Sequence, residues 1–239
     1  CEPRMASPRL GTTTHRTANC TVLQSFWQCS VSVMGSSTRF RSTQRYGSRT
    51  TAISNAAIVR TASALALILD PPQVTAWSAA QGSFTSLPLL SSGEDLAGCV
   101  AAVLPAGGGA PWCYSAIRSS WRQAPSDALP GLPRVTTTAA LIPTTTGFRA
   151  FSARTAAFVP LATSNGVAEG STAVAPALVW DSSTFHFFDA RADAWISEPR
   201  LSAATPGVTL WRTTALILDG SDAVGFGTQS GTVSRTTLP

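Results

Sequence analysis

Carboxylates at regular places in this 239-residue chain are the first candidates for chemistry. Asp70, Asp181 and Asp219 each follow a short apolar run. Two acidic groups facing each other across a pocket are the apparatus of glycosidases. Aspartate at the end of a strand also stabilises a tight turn, and equivalent runs end at Pro105 and Pro143, which form turns as well. The turn interpretation is favoured, and the sequence predicts no catalytic residue.

The two histidines do not suggest a metal or hydrolase site. His15 and His186 lie far apart in the sequence, whereas a metal site needs converging ligands. His186 stands between Phe185 and Phe187 in a strand-like run, and no Gly-x-Ser-x-Gly motif accompanies it. We therefore expect a structural histidine, no metal and no cofactor.

Tryptophans beside these carboxylates are better candidates for ligand contact. Trp180 precedes Asp181, and Trp112 stands outside the regular aromatic spacing described below. An aromatic side chain that the core does not need is free to contact a ligand. The candidate ligand-binding residues are Trp180, Asp181, Asp70, Asp219 and Trp112.

The five cysteines favour an oxidising compartment. Cys99 and Cys113 flank a glycine-rich turn at 105–109 symmetrically, which predicts a disulfide across that turn. Cys20 and Cys29 could form a second bridge, leaving Cys1 over. A cysteine at the N-terminus resembles that of a lipid-modified bacterial lipoprotein. We expect a secreted, periplasmic or cell-surface protein, with a lipid anchor at Cys1 as one form of it.

All 17 basic residues are arginine, and the formal net charge is +5. They are scattered, except for a run at Arg39, Arg41, Arg45 and Arg49. A solvated strand face is the favoured interpretation of that run, and an anion, glycan or lipid-headgroup patch is the alternative. The scatter argues against a nucleic-acid partner. No apolar run reaches the length of a membrane span.

An internal repeat must position these residues. The pentapeptide Ala66-Leu67-Ile68-Leu69-Asp70 recurs as Ala215-Leu216-Ile217-Leu218-Asp219, and weaker copies lie between and before the two. Two aromatic columns keep the same step of 37 or 38 residues. The first column is Phe40, Trp77, Tyr114, Phe151, Phe188 and Phe226, and the second is Phe84, Trp121, Phe158 and Trp195, continued by Val233.

Each repeat is predicted to hold an apolar strand, two further strands carrying the aromatic columns, and room for a fourth strand and a crossover. The segment from Phe188 to Trp195 resembles kelch repeats, in which an aromatic-Asp pair, a turn and a Trp follow one another. It is also similar to the repeat signature of quinoprotein-type propellers. These resemblances imply a β-propeller and no particular activity.

The sequence therefore predicts an all-β, single-domain, six-bladed β-propeller of about 37-residue repeats. Repeats are expected to begin near residues 27, 62, 97, 135, 173 and 211. Residues 1–26 form an extension that would supply the missing outer strand of the final blade, so that the two termini close the ring.

The favoured function is a non-enzymatic, extracytoplasmic binding or scaffolding module that recognises a glycan, as a lectin does, or a protein through its loops. A propeller glycosidase or lyase with carboxylates in the central channel is the first alternative. A structural subunit of a larger assembly is the second. The oligomeric state, the ligand and the face that binds it are left open.

Overall fold

The computed structural model describes residues 16–23, 26–33, 47–49, 57–163, 167–169 and 176–239. The chain forms two compact units, Cys1–Ala57 and Ile58–Pro239. Cys1 and the arginine run at 39–45 lie outside the described residues. In the part that is described, no helix is long and apolar enough to cross a membrane.

The first unit contains one antiparallel sheet, called sheet 1. Its strands are β1 (Arg16–Leu23), β2 (Phe26–Val33) and β3 (Gly47–Arg49), in the order β2-β1-β3. The register of the β1/β2 hairpin sets Cys20 opposite Cys29. This pair of cysteines is therefore adjacent across two strands.

The second unit consists of five four-stranded antiparallel sheets, each built from consecutive strands in the order first, second, third, fourth. The strands are, in sheet 2, β4 (Ile58–Thr61), β5 (Leu65–Asp70), β6 (Gln73–Ser78) and β7 (Ser83–Leu87); in sheet 3, β8 (Ser91–Ala97), β9 (Val100–Pro105), β10 (Trp112–Ser115) and β11 (Ser120–Gln123); in sheet 4, β12 (Arg134–Val135), β13 (Ala139–Thr144), β14 (Gly147–Ser152) and β15 (Phe158–Ala162); in sheet 5, β16 (Val167–Glu169), β17 (Ala177–Trp180), β18 (Thr184–Asp189) and β19 (Ala194–Pro199); in sheet 6, β20 (Gly207–Trp211), β21 (Thr214–Asp219), β22 (Asp222–Gly227) and β23 (Thr232–Thr237).

Sheets 2 to 6 pack face to face in chain order. One apolar cluster lies between each neighbouring pair: Leu67 meets Ala101 between sheets 2 and 3, for example, and Phe187 meets Ile217 between sheets 5 and 6. The second strands of sheets 2 and 3, β5 and β9, are buried along most of their length because both of their faces are covered. Successive meanders packed in this way are the arrangement of β-propeller blades, so the predicted all-β, propeller-type fold is confirmed at that level.

The two aromatic columns meet as cross-strand pairs. Trp77 pairs with Phe84, and Tyr114 with Trp121, with ring centroids 6.5 Å and 5.0 Å apart. First-column side chains from Trp77 onwards are fully buried, whereas second-column side chains are half-buried; Phe40 lies outside the described residues. The equivalent pairs in the later sheets are Phe151 with Phe158, Phe188 with Trp195, and Phe226 with Val233. The columns therefore mark the third and fourth strands of each sheet.

Indole groups in the second column also join neighbouring sheets. The Nε1–H of Trp121 donates to the carbonyl oxygen of Thr85 at 3.2 Å, and that of Trp195 donates to Val159 at 3.3 Å. In both cases the acceptor lies 36 residues earlier, on the fourth strand of the preceding sheet. The fourth strands of successive sheets are thus held side by side.

The turn between the third and fourth strands has one residue with a positive φ near its end in all five sheets. These residues are Gly82 (61°), Ser119 (49°), Ala156 (54°), Asp193 (52°) and Gly231 (66°). A side-chain oxygen at the start of the turn accepts from an amide inside it, as Ser78 does from Gln81. Sequence repetition therefore extends to turn geometry, although only two of the five positions hold the glycine that tolerates it best.

The prediction that residues 1–26 complete the last blade is wrong. Sheet 6 already has four strands, all from residues 207–237, and β1 pairs instead with β2 and β3. The sequence predicts a further strand after each aromatic pair. In the structure this strand opens the next sheet, where it pairs with the apolar strand that follows it in the chain. Each sheet is therefore self-contained and begins before the apolar strand.

The predicted Cys99–Cys113 bridge is not formed, and both thiols are free. Cys113 pairs with Ala102, three residues along the chain from Cys99, which is about 10 Å at the rise of a strand. That separation is too great for a disulfide. The wide connection at 106–111 shifts the register away from the symmetry that the sequence suggests.

Candidate functional site

All five predicted ligand-binding residues lie at one end of the sheets, here called the crossover end. It comprises the connections between second and third strands at 71–72, 106–111, 145–146, 181–183 and 220–221, and the links between sheets at 88–90, 124–133 and 200–206. Asp70 and Asp219 are the last residues of β5 and β21, and Asp181 follows β17 directly. The equivalence of the three aspartates, seen in the sequence, is therefore structural.

Asp181 is occupied by its own turn. Its Oδ1 accepts hydrogen bonds from the backbone amides of Ser183 and Thr184 at 2.8 Å and 2.9 Å, and Oδ2 accepts one from the hydroxyl of Thr163. Burial raises the pKa of this carboxyl group, but the hydrogen bonds together outweigh burial and lower the pKa to about 2. Asp181 is a turn-stabilising carboxylate, as the turn interpretation predicts.

His186 lies on β18, on the face of sheet 5 that is turned towards sheet 4. Its Nδ1 is 2.9 Å from the hydroxyl oxygen of Ser197, the residue opposite on β19, and its Nε2 is 3.7 Å from Oδ2 of Asp181. Burial lowers the pKa of His186, and the charge of Asp181 opposes that effect. The Thr75–Ser86 pair of sheet 2 occupies the same repeat position with a 2.9 Å contact, which identifies the Ser–His contact as a strand pairing.

Asp219 is part of a buried ionic network between sheets 5 and 6. Its Oδ2 accepts a hydrogen bond from the backbone amide of Leu201 at 2.6 Å and lies 3.6 Å from Nη1 of Arg235. Arg235 also binds Glu198 at 3.0 Å and Asp222 at 3.2 Å. The Arg235–Glu198 pair therefore joins β23 and β19, the fourth strands of sheets 6 and 5.

Arg200 connects the two aspartates. Its Nη1 donates to the backbone carbonyl of Asp181 at 2.6 Å, and its Nε lies 3.9 Å from Oδ1 of Asp219. The guanidinium group stands over the ring of Phe185, 5.6 Å from its centroid. Arg200 therefore fixes the link between sheets 5 and 6, a role that the sequence pattern does not reveal.

The two candidate tryptophans are half-buried. Trp180 packs against the apolar cluster between sheets 5 and 6, and Trp112 begins β10 between its partners Val103 and Gln123. Asp70, on sheet 2, and Trp112, on sheet 3, are separate from the Asp181–Asp219 network. The structure therefore places all five candidates at one end without gathering them into one pocket.

Exposed leucines are the feature of the crossover end that the sequence analysis missed. Leu90, Leu129, Leu132 and Leu201 are 51%, 40%, 40% and 67% exposed. All lie on links between sheets, in stretches rich in proline and glycine. Apolar side chains inside a turn-rich segment between two strands are the signal that could have found them.

A bidentate ion pair holds the longest of these links. Arg149 of β14 binds both carboxylate oxygens of Asp127, with Nη2 2.9 Å from Oδ2, and the amide of Thr145 donates to the carbonyl oxygen of Asp127. The Arg149 guanidinium also holds the pKa of Asp127 below its usual range. The segment that carries Leu129 and Leu132 is therefore anchored to sheet 4.

The fold defines an all-β protein of successive four-stranded sheets. No family model matches the chain, and no curated protein matches it. Among solved structures it is similar to Hsv2 of Kluyveromyces lactis (TM-score 0.39, 10% identity), with 76% of this chain aligned to 64% of that chain. It is also similar to the AfRom2 CNH domain (TM-score 0.29, 11% identity, 95% and 87% covered) and to the N-terminal domain of Nup159 (TM-score 0.30, 10% identity, 83% and 68% covered). The chain thus spans less than two thirds of the Hsv2 structure.

Proposed function

We propose that this chain is a six-bladed propeller whose ring closes over the outer face of sheet 6. That face carries Leu216 and Leu218, each 46% exposed, in the second copy of the repeated pentapeptide. Leu67 and Leu69 of the first copy are 0% and 9% exposed because sheet 3 covers them. A face with the same apolar sequence is made to be covered in the same way.

The spacing of sheet 1 supports a count of six repeats. Strands β2 (Phe26–Val33) and β3 (Gly47–Arg49) each overlap the position one 37-residue period before β5 (Leu65–Asp70) and β7 (Ser83–Leu87). The first-column residue Phe40 keeps the same period. Residues 16–49 therefore keep the spacing of the repeat, although the strand order of sheet 1, β2-β1-β3, differs from the consecutive order of sheets 2 to 6. Closure then works by packing between faces rather than by exchange of a strand.

Thiol labelling tests closure. In the full-length Leu218→Cys variant, a closed ring predicts slow modification by a maleimide, measured at the peptide level by mass spectrometry. The control is Leu201→Cys, at a leucine on the crossover end that closure does not cover. Equal labelling rates at the two positions would contradict closure.

The module so formed binds a partner through the crossover end and acts as an extracytoplasmic binding or scaffolding protein. The observation that carries this proposal is the set of exposed leucines on the links between sheets, the longest of which is held in place by the Asp127–Arg149 pair beside Leu129. Rigid sheets that present anchored apolar loops favour recognition of a protein over a neutral glycan, because apolar contact is the core of protein interfaces.

Site-specific photo-crosslinking tests this function. A photoreactive residue replaces Leu132, and a second protein carries it at Ala80, an exposed position at the opposite end. We expect a discrete protein adduct from position 132, absent from position 80 and lost when Leu90 and Leu129 are changed to serine. Adducts that do not depend on the leucines would contradict the proposal. Binding to a neutral glycan array without any protein adduct would favour the glycan version.

A further inference from the structure

A row of arginines stands at the other end of the sheets, here called the hairpin end. It comprises the turns between first and second strands at 62–64, 98–99, 136–138 and 212–213, and the turns between third and fourth strands at 79–82, 116–119, 153–157, 190–193 and 228–231. Arg118, Arg154 and Arg191 occupy the latter turns of sheets 3, 4 and 5, at steps of 36 and 37 residues, and Arg212 lies on sheet 6. All four residues are exposed.

The turns hold this row in a fixed order. The hydroxyl of Ser115 accepts from the amide of Arg118 and donates to the carbonyl of Ala153 in the next sheet. The Nε of Arg118 donates to the carbonyl of Arg154 at 2.7 Å. The terminal nitrogens of Arg118 can then still engage an external anion, since Nε makes the contact within the protein.

Charge at the hairpin end is unbalanced. Within its described turns, Asp193 is the one acidic residue. Its carboxylate forms an ion pair with Arg154 and accepts a hydrogen bond from the hydroxyl of Ser152. At the crossover end, by contrast, Arg149 and Arg235 are each paired with carboxylates. The fold therefore converts scattered arginines into an excess of positive charge on one end.

The residue types in these turns favour a polysaccharide over a protein as the anionic partner. Their other residues are mainly alanine, glycine, serine and threonine, and among the described turn residues none is an exposed large apolar side chain. A protein partner would need such anchors. Trp211, 67% exposed with the Arg212 guanidinium 5.6 Å from its ring centroid, borders the row and offers a flat surface for a sugar ring.

We propose that the hairpin end binds an anionic polysaccharide, with arginines of successive sheets contacting its carboxylate or sulfate groups. Packed sheets lie about 10 Å apart, which suits charged groups that recur along a linear sugar chain. Guanidinium groups bind such oxyanions through paired hydrogen bonds. This site is at the opposite end from the leucines, so it does not depend on the proposed protein contact.

Matched glutamine variants test the proposal. Gln81 holds the corresponding place in sheet 2 and makes the same contact to the next sheet, donating to Ile117 at 2.8 Å. Arg118→Gln therefore removes the charge while it can keep that hydrogen bond. The tested protein is the full chain with Arg118→Gln and Arg191→Gln, and the control is Arg122→Gln, an exposed arginine on β11 outside these turns.

The probes are heparin, which carries sulfate, polygalacturonate, which carries carboxylate alone, and dextran, which is neutral. We expect binding to at least one charged polysaccharide, weakening as salt rises, and about a tenfold or greater loss of affinity in the double variant. The control should retain wild-type affinity. An equal loss in the Arg122 control, binding to dextran, or tighter binding to duplex DNA or polyglutamate would overturn the proposal, as would no binding to either charged polysaccharide.

Discussion

Leu67 and Leu216 occupy the same position in two identical pentapeptides, and each lies on the second strand of its sheet, yet Leu67 is fully buried and Leu216 is 46% exposed. Sheet 3 packs against Leu67. The difference therefore comes from the neighbouring sheet and not from local sequence. The proposed closure of the ring therefore depends on whether the outer face of sheet 6 is covered.

Substitution at two equivalent turn glycines should separate backbone strain from steric contact. Gly82 and Gly231 have φ angles of 61° and 66° at the same turn position. A Cβ on Gly82 meets no heavy atom within 4 Å, whereas a Cβ on Gly231 would lie 2.5 Å from Oδ2 of Asp189. We expect Gly82→Ala to cost about 1 kcal/mol of stability from strain alone, and Gly231→Ala to cost more.

Urea unfolding of the two variants measures this difference. The double variant Gly231→Ala with Asp189→Ala provides the control, because it removes the clashing carboxylate. Relative to Asp189→Ala alone, the loss of unfolding free energy caused by Gly231→Ala should then fall towards the loss caused by Gly82→Ala. Equal costs for the two single glycine variants would show that the Asp189 contact relaxes freely.

Asp181 should make the protein more stable at neutral than at acid pH. Its folded-state pKa, lowered to about 2, lies below the value of about 3.9 for an unperturbed aspartate. Its contribution is therefore fully present above about pH 4 and is lost as pH falls through about 2. The melting temperature of Asp181→Asn should be lower than wild type at pH 6, and the gap should narrow between pH 4 and 2. A gap that is constant with pH would contradict this prediction.

The β1/β2 register predicts a disulfide between Cys20 and Cys29 in protein made in an oxidising compartment. Opposite residues on antiparallel strands have Cα atoms about 4.5–5.5 Å apart, within the range that a disulfide spans. Mass spectrometry of an unreduced digest should recover the linked peptide. Cys99 and Cys113 are the internal comparison: burial raises the pKa of both thiols, and both should remain unlinked.

The indole contacts between sheets predict a cost for removing a single donor. Trp121→Phe keeps an aromatic ring beside Tyr114 but loses the hydrogen bond to Thr85. Stability should fall by about 0.5–1.5 kcal/mol in urea unfolding, with a further contribution from the smaller ring. Phe84→Leu, at the same place in sheet 2, removes no such donor and separates packing from hydrogen bonding. A loss in Trp121→Phe no larger than the packing term would contradict the role of the indole.

The repeat made the third and fourth strands predictable, because Tyr114 and Trp121 are large, rare side chains that recur at one step and meet across the hairpin. First strands carried no such marker. Strand β12 is only Arg134–Val135, and its position depends on pairing with Leu141 and Ala140 of the next strand. The predicted repeat starts therefore fall after or close to the strand that opens each sheet.

The sequence predicts where the candidate residues lie in the fold but not which interactions they make. Aspartates at strand ends had to share one end of the fold, and Asp181 and Asp219 do so. Their partners come from links such as the one holding Arg200, whose path depends on tertiary packing. The arginine row was present in the sequence as a step of 36 and 37 residues, but it becomes a surface only once the turns are aligned.

Alanine substitution in the two pentapeptide copies tests ring closure most directly. If the ring closes over the outer face of sheet 6, Leu216→Ala should cost about 2–5 kcal/mol in urea unfolding of the full chain, close to the cost of Leu67→Ala. Leu67 is the matched reference, since it has the same neighbours in sequence and is buried by sheet 3. A loss within about 0.5 kcal/mol for Leu216→Ala, beside a full loss for Leu67→Ala, would show that the face is open and contradict the closed ring.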